Sequence, residues 1–387
     1  MITGQDILCL SSQDWNDLWT RKQRFMQRFA RQGNRVLYVE APASWVSLGL
    51  LRADWRRPFR WLAGPRRLEA NLYVATPPLF VPFFQISRGL NWLNTALLLP
   101  VLRRWVRALG FQRPILWTYN PHSEGLVGKL GDRFTVYECV DELSSAKGLV
   151  RPEVVRDQET RLIQKAGLVI VTHENLYRSK RALAREIALI PNGAEVDHFR
   201  QASLPETRVP LEMQAIPRPI VGFVGMIQYW IDMDLLRFLA LSRPTWSFVL
   251  VGPRGRLARV EKLEGLPNVY LLGRKRYEDL PGYLKAFDVC LNPYVVDDTA
   301  LHCSPLKLYE YLATGKPVVS VDMPEARKFD GVVRIGRDYE DILRLAQEAV
   351  DAKGEADGLV AARIRAVEPH SWDHRFQQME RVLEKIL

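Results

Sequence analysis

A chain of 387 residues has room for two or three domains, and 47% hydrophobic with 10% aromatic content supplies cores for them, which excludes a disordered protein. The four cysteines, Cys9, Cys139, Cys290 and Cys303, form no CxxC pair and three lie in apolar runs, so reduced thiols are expected rather than a disulfide framework or a metal site. The net charge of +10 is uneven: residues 1–190 hold 28 Lys+Arg against 16 Asp+Glu, a net of +12, and the remainder 26 against 28, a net of −2.

The opening residues, MITGQDILCLSSQDW, lack a basic n-region and a long apolar h-region, and no run of about 18 uncharged apolar residues follows. A cytoplasmic protein that does not span a membrane is expected. Apolar runs rich in β-formers then recur at 6–10, 35–39, 71–75, 114–119, 133–140, 168–172 and 188–191. Helical patterns fall between them near 20–32, 87–109, 152–165 and 175–185. This alternation predicts an α/β protein with a parallel, doubly wound sheet. Residues 200–219 are rich in proline and polar side chains and read as a linker, after which strands recur at 219–225, 246–251, 268–272, 288–293, 317–321 and 332–335. Two Rossmann-like halves are therefore expected, 1–200 and 219–371, joined by 201–218. A final helix, 372–387, would pack back on the first half. The halves show no sequence repeat, and the first carries no G-x-G-x-x-G fingerprint, which argues against a dinucleotide oxidoreductase.

The basic excess concentrates between Arg21 and Arg113, where 17 basic residues face only Glu40, Asp54 and Glu69. Interleaved with them are Trp45, Trp55, Phe59, Trp61, Phe80, Phe83, Phe84, Trp92 and Trp105. Arginine mixed with aromatic and aliphatic side chains suits an anionic bilayer surface, with nucleic acid or a plain solvated face as alternatives. The run LNWLNTALLLPVL at 90–102 is too short and interrupted to span.

Residues 304–322, SPLKLYEYLATGKPVVSVD, read as a helix start followed by a buried strand. Ser304 suits the N-cap, Pro305 the first helical position and Gly315 the C′ position. The unpaired N–H groups and dipole of such a start favour an anion. Lys307 adds charge in the first turn, and Glu310 follows on the same face, where a carboxylate can accept from both hydroxyls of a ribose. The alternative is a solvated i,i+3 pair on an ordinary amphipathic helix.

Five segments, IPNGAEVDHF at 190–199, VGFVGMIQYWIDMDLL at 221–236, FVLVGP at 248–253, NVYLLGRKRYEDLPGYLKAFDVCLNPY at 268–294 and SPLKLYEYLATGKPVVS at 304–320, stand in order. Together they resemble the GT-B-fold glycosyltransferases of the family 4 type, also called group 1, and their bacterial exopolysaccharide relatives. The resemblance implies two Rossmann-like domains facing across a cleft, with the nucleotide-sugar donor held by the second and the acceptor by the first. It implies that Gly225 and Met226 lie against the donor, Arg274 at the base and Tyr294 in the pocket. Lys307 would then meet the diphosphate and Glu310 the ribose, with Ser304 and Leu306 also on the donor side. UDP- or GDP-sugars are the implied donors, with no tightly bound cofactor and no metal.

Two departures limit what carries over. His302 stands where many members have a glutamate, seven residues before Glu310, so the resemblance implies neither the donor sugar nor retaining chemistry. Gln228 and Trp230 stand where a basic pair usually follows Gly225, which leaves phosphate neutralisation to Lys307 and the helix start. The segment VYECVDELS at 136–144 resembles that of inverting exopolysaccharide glucuronosyltransferases, whose aspartate deprotonates the acceptor; this implies Asp141 as base, with Glu142 an adjacent competitor and His122 second in rank. Trp15 and Arg21 would lie on the acceptor side. The expectation is a hexosyltransferase acting on a glycan or lipid-linked precursor in cell-surface or exopolysaccharide synthesis, at the inner face of the plasma membrane, with nucleic acid not a partner. A nucleotide-sugar epimerase of similar fold, and an inactive transferase-like protein that binds membranes or polyanions, are the rivals.

Overall fold

The buried strands lie close to where the apolar runs place them, in a computed structural model that describes residues 1–17, 19–46, 56–145, 150–297, 305–352 and 357–387. The chain divides into two compact units, Met1–Pro191 with Arg375–Leu387, and Asn192–His374.

The first unit holds eight strands: β1 (Asp6–Leu10), β2 (Arg35–Val39), β3 (Arg66–Glu69), β4 (Leu72–Ala75), β5 (Ile115–Thr118), β6 (Phe134–Cys139), β7 (Leu168–Val171) and β8 (Ile187–Leu189). Their order is β3-β4-β2-β1-β5-β6-β7-β8, and all pairs are parallel except β3 with β4. β5 and β7 are buried along their whole length, as strands covered by helices on both faces must be. β3, which no apolar run announces, is a charged edge strand exposing Arg66 and Arg67, and such charges discourage pairing with another chain. Chain direction across the sheet reverses between β1 and β5, the position where open α/β sheets leave a crevice. Asn120, just past β5, ties the two strand ends together by donating to the carbonyls of Leu10 (3.3 Å) and Ser11 (2.9 Å). The expected helix at 175–185 is shorter, Glu174–Lys180, and ends where the Lys180 ammonium turns inward to Glu142 and Glu159. Phe376 of the C-terminal segment packs on Phe25 and Phe29 of helix Arg21–Arg31, at ring distances of 6.0 and 4.8 Å.

The second unit holds six parallel strands: β9 (Ile220–Val224), β10 (Ser247–Val251), β11 (Val269–Gly273), β12 (Val289–Asn292), β13 (Val318–Val321) and β14 (Arg334–Gly336), in the order β11-β10-β9-β12-β13-β14. Period-two alternation sends Val224, Val249, Cys290 and Val318 into one core, and Phe223, Phe248, Leu291 and Val319 into the other. Direction reverses between β9 and β12. Residues 201–218 are not a free linker: Ala202, Met213 and Ile216 are buried in the first of these cores beside Phe199 and Leu284, three apolar anchors within a polar stretch.

Three cysteines, Cys9, Cys139 and Cys290, are free and buried, while Cys303 lies outside the described residues. Among the described residues no helix is long and apolar enough to cross a membrane.

Candidate active site

In the second unit the strand ends build a floor of backbone. The Gly225 N–H donates to the Val251 carbonyl and the Gly252 N–H to the Gly273 carbonyl, both at 2.9 Å, so the ends of β9, β10 and β11 are stitched side by side. At Gly252 φ is +151°, and a Cβ there would stand 1.8 Å from the Gly225 oxygen, so no side chain fits. A Cβ on Gly225 would lie 3.2 Å from Lys307 Cε, which places the lysine stem directly on this floor. The sequence had drawn attention to Gly225 but not Gly252, whose signal was a glycine closing an apolar strand.

Helix Leu306–Ala313 delivers the lysine. Leu308 and Leu312 anchor it in the core, and the Val224 N–H donates to the Tyr311 hydroxyl at 2.8 Å, fixing the helix to the end of β9. Gly315 ends it at φ +72°, and the buried Arg363 guanidinium donates to the Gly315 carbonyl at 3.1 Å. The helix starts one residue later than expected, with Pro305 at the N-cap position; Ser304 and His302 lie outside the described residues. Leu306 is half-buried. Lys307 Nζ donates to Glu310 Oε2 at 2.6 Å, the two side chains being 20% and 8% exposed. The pair thus exists, but it is sheltered rather than solvated. It can take an anion at the ammonium and the first-turn N–H groups, and it leaves a carboxylate one turn further along.

Around this point Met226 and Arg274 are exposed and Tyr294 is half-buried, its backbone bridged to Ile231. Gln228 shapes the loop, its Oε1 accepting from the N–H groups of Tyr229 (3.1 Å) and Leu257 (2.9 Å).

In the first unit two expected acceptor-side residues are interior. Arg21 is 1% exposed; its Nε donates to Glu138 Oε1 at 2.5 Å and its Nη1 to the Ile190 carbonyl at 3.0 Å, while Trp117 Nε1 donates to the other Glu138 oxygen at 2.8 Å. Trp15 is buried edge-on against Tyr38, and its backbone N–H donates to Glu40 at 3.2 Å. Both are committed to the fold and offer nothing to an acceptor. Removing one member of a buried pair strands the other charge, so Arg21→Met is expected to cost about 3–5 kcal/mol. A fall in the thermal midpoint, partly recovered when Glu138→Gln is added, would show it.

Next to this pair stand Lys22 and Asp141. Lys22 is buried with its ammonium 5.3 Å from the Tyr119 ring centroid, and burial lowers its pKa while Asp141 and Glu138 raise it. Asp141 is open to solvent, yet protein crowds it closely enough that desolvation raises its pKa above the ordinary aspartate value; Lys22 and then Arg21 oppose that rise. No hydrogen bond reaches its carboxylate among the described residues. Glu142 differs. Burial pushes its pKa up, but Lys180 (3.0 Å) and the Ser144 hydroxyl (2.7 Å) hold it below the ordinary value, so it is spoken for.

His122 lies past β5 at a small cleft over the carboxyl ends of β1, β2 and β5, lined among others by Ser11, Glu40, Phe80, Leu98 and Asn120. Phe84 and Phe80 stand edge-on to its ring at 4.9 and 5.9 Å, and burial lowers its pKa to about 4. It is neutral at pH 7 and a weak base. Among the described residues no group of three or more His, Cys, Asp or Glu is placed to hold a metal ion.

Residues 218–352, which contain the glycine floor and the Lys307 helix, match the family described as Glycosyl transferases group 1. That segment is a group 1 glycosyltransferase domain. A candidate teichuronic acid biosynthesis glycosyltransferase of Bacillus subtilis (strain 168) is 30% identical over 231 residues, which span 56% of this chain and 57% of the relative. The match therefore covers little more than half of the relative's length. Sucrose-phosphate synthase from Thermosynechococcus elongatus superimposes with a TM-score of 0.75 at 17% identity, covering 99% of both chains. Anabaena HepE in complex with UDP gives 0.68 at 14%, covering 99% of this chain and 100% of that one. At these identities the likeness establishes the fold, which is GT-B: two α/β domains built on parallel sheets, of which the group 1 glycosyltransferase domain is the second.

Proposed function

We propose that this protein moves a sugar from a nucleoside diphosphate donor to a hydroxyl group of a glycan or lipid-linked precursor in bacterial cell-surface or exopolysaccharide synthesis. The observation that carries this reading is the placement of Lys307, in the first turn of a helix and against the Gly225 floor, at the switch point of a group 1 glycosyltransferase domain. UDP is the favoured nucleotide, because HepE was solved with UDP and an E. coli trehalose-6-phosphate structure with UDP-2-fluoro glucose. Ser304, Leu306 and Lys307 take the diphosphate, Glu310 the ribose, Arg274 the base and Tyr294 the pocket wall. In the transfer step the acceptor oxygen bonds to the anomeric carbon and gives its proton to Asp141, while the bond from that carbon to the diphosphate oxygen breaks. Lys307 and the helix N–H groups stabilise the charge left on the diphosphate. The protein works in the cytoplasm, at the inner membrane face where lipid-linked precursors lie.

Thermal-shift binding to UDP-, GDP-, ADP- and dTDP-sugars tests the donor. At a hundredfold excess over Kd a ligand adds about 2.7 kcal/mol, a rise of roughly 7 °C for a unit of this size, and only the UDP-sugars are expected to give it. Nucleotide release that appears on addition of an acceptor completes the test. Stabilisation by none of the four would remove the donor site.

A further inference from the structure

We propose that helix Arg88–Ala108 of the first unit lies flat on an anionic lipid surface. This deepens the reading of a transferase for lipid-linked acceptors, and rests on it only for the nature of the acceptor. The helix packs inward through Leu98, Leu102, Trp105 and Val106, all buried. At roughly 100° per residue the opposite half-surface carries residues 92, 93, 97, 100, 103, 104 and 107. A solvent-facing stripe should be polar. Here its first part is Trp92, 70% exposed, Leu97, 51% exposed, with Leu93 and Pro100 beside them. Arg103, Arg104 and Arg107 continue the same stripe, and the whole helix contains no acidic residue.

Apolar side chains followed along the stripe by arginines, on a helix that itself carries no carboxylate and whose Arg88 at the start pairs with Asp157 at 3.1 Å, match an interface that offers acyl chains and anionic headgroups together. A nucleic acid would satisfy the arginines but give Trp92, Leu93 and Leu97 no apolar bed. The stripe runs for roughly 22 Å, enough to lie along a bilayer and too short to cross it. Neighbouring exposures agree: Phe59 and Leu62 project from the turn Arg57–Ala63, itself free of acids, and Phe83 from the segment that enters the helix. Of the aromatics that the sequence pattern marks for a bilayer, Trp105 and Phe80 are core residues and Trp61 and Phe84 pack on the same core, whereas Trp45, Phe59, Phe83 and Trp92 are outward. Trp55 lies outside the described residues.

Flotation of the full chain with vesicles of phosphatidylcholine alone, or with one third phosphatidylglycerol, tests this. Binding is expected only with the anionic lipid and is expected to weaken with salt. Each arginine removed should weaken it about fivefold, so Arg104→Ala with Arg107→Ala should lose roughly 25-fold. Trp92→Ala with Leu97→Ala should lose on the order of a hundredfold. All four side chains are exposed, so thermal midpoints and the UDP-sugar shift should not change, which separates this proposal from the donor reading. No flotation by the wild-type chain, or equal flotation by the variants, would overturn it. So would sedimentation velocity showing that Trp92→Ala abolishes a concentration-dependent dimer, since the face would then cover a second copy.

Discussion

Asp141→Asn is expected to lower turnover by about 10²- to 10⁴-fold, the usual range for losing a positioned base, while the UDP-sugar thermal shift stays as in the wild type. Asparagine keeps the shape and removes the proton acceptor, and the donor residues sit in the other unit. The choice of Asp141 over its neighbours follows from their partners. Glu142 is held by Lys180 and Ser144, and its pKa is lowered, so it gains little by taking a proton. His122, lowered to about 4 by burial between two phenylalanines, is expected to lose less than about tenfold as His122→Gln. The pH dependence carries a sign. Asp141 acts deprotonated and desolvation raises its pKa, so kcat/KM should fall as pH drops through a value above the ordinary aspartate figure of about 4. Lys22 lowers that pKa in the native chain. In Lys22→Met the opposition is lost and the acid limb should move to higher pH, an effect that a merely structural lysine would not produce. An unmoved limb, or Asp141→Asn with near wild-type turnover, would reassign the base.

Lys307→Ala is expected to cut kcat by about 10²- to 10³-fold and to abolish most of the UDP-sugar shift, because it removes the formal cation that the first turn of that helix carries. The same change strands the Glu310 carboxylate, 8% exposed, and should by itself lower stability by about 1–3 kcal/mol. The double variant Lys307→Ala with Glu310→Gln separates the two effects: stability should recover in part, and turnover should not. Lys307→Arg is not expected to rescue activity. The lysine stem already stands 3.2 Å from where a Gly225 Cβ would be, and a planar guanidinium needs more width than an ammonium at that spot. Full activity in Lys307→Ala would mean that the helix N–H groups alone hold the diphosphate.

Much of the architecture was written in local pattern. Strands such as β5, β7, β9, β12 and β13 are covered on both faces, so they appear as unbroken apolar runs that need no knowledge of their neighbours. The Lys307 helix was legible for a similar reason: its glycine terminator and its Lys–Glu spacing lie within ten residues of one another. What the sequence left open depends on partners remote in the chain. Arg21 reads as a surface cation until β6 brings Glu138 to it, 117 residues away. Asp141 and Glu142 are neighbours of one charge type, and it takes Lys180, 38 residues on, to single out Glu142 as the carboxylate held by an ion pair. Gly252 is an ordinary strand-ending glycine until the Gly225 carbonyl is laid where its Cβ would be. Trp92 and Trp105 lie in the same helix with the same local composition, yet one is 70% exposed and the other 2%. Composition sets how much apolar and charged surface a chain carries, but which side of a helix meets the sheet and which meets the solvent is settled by packing, and packing is a property of the whole fold.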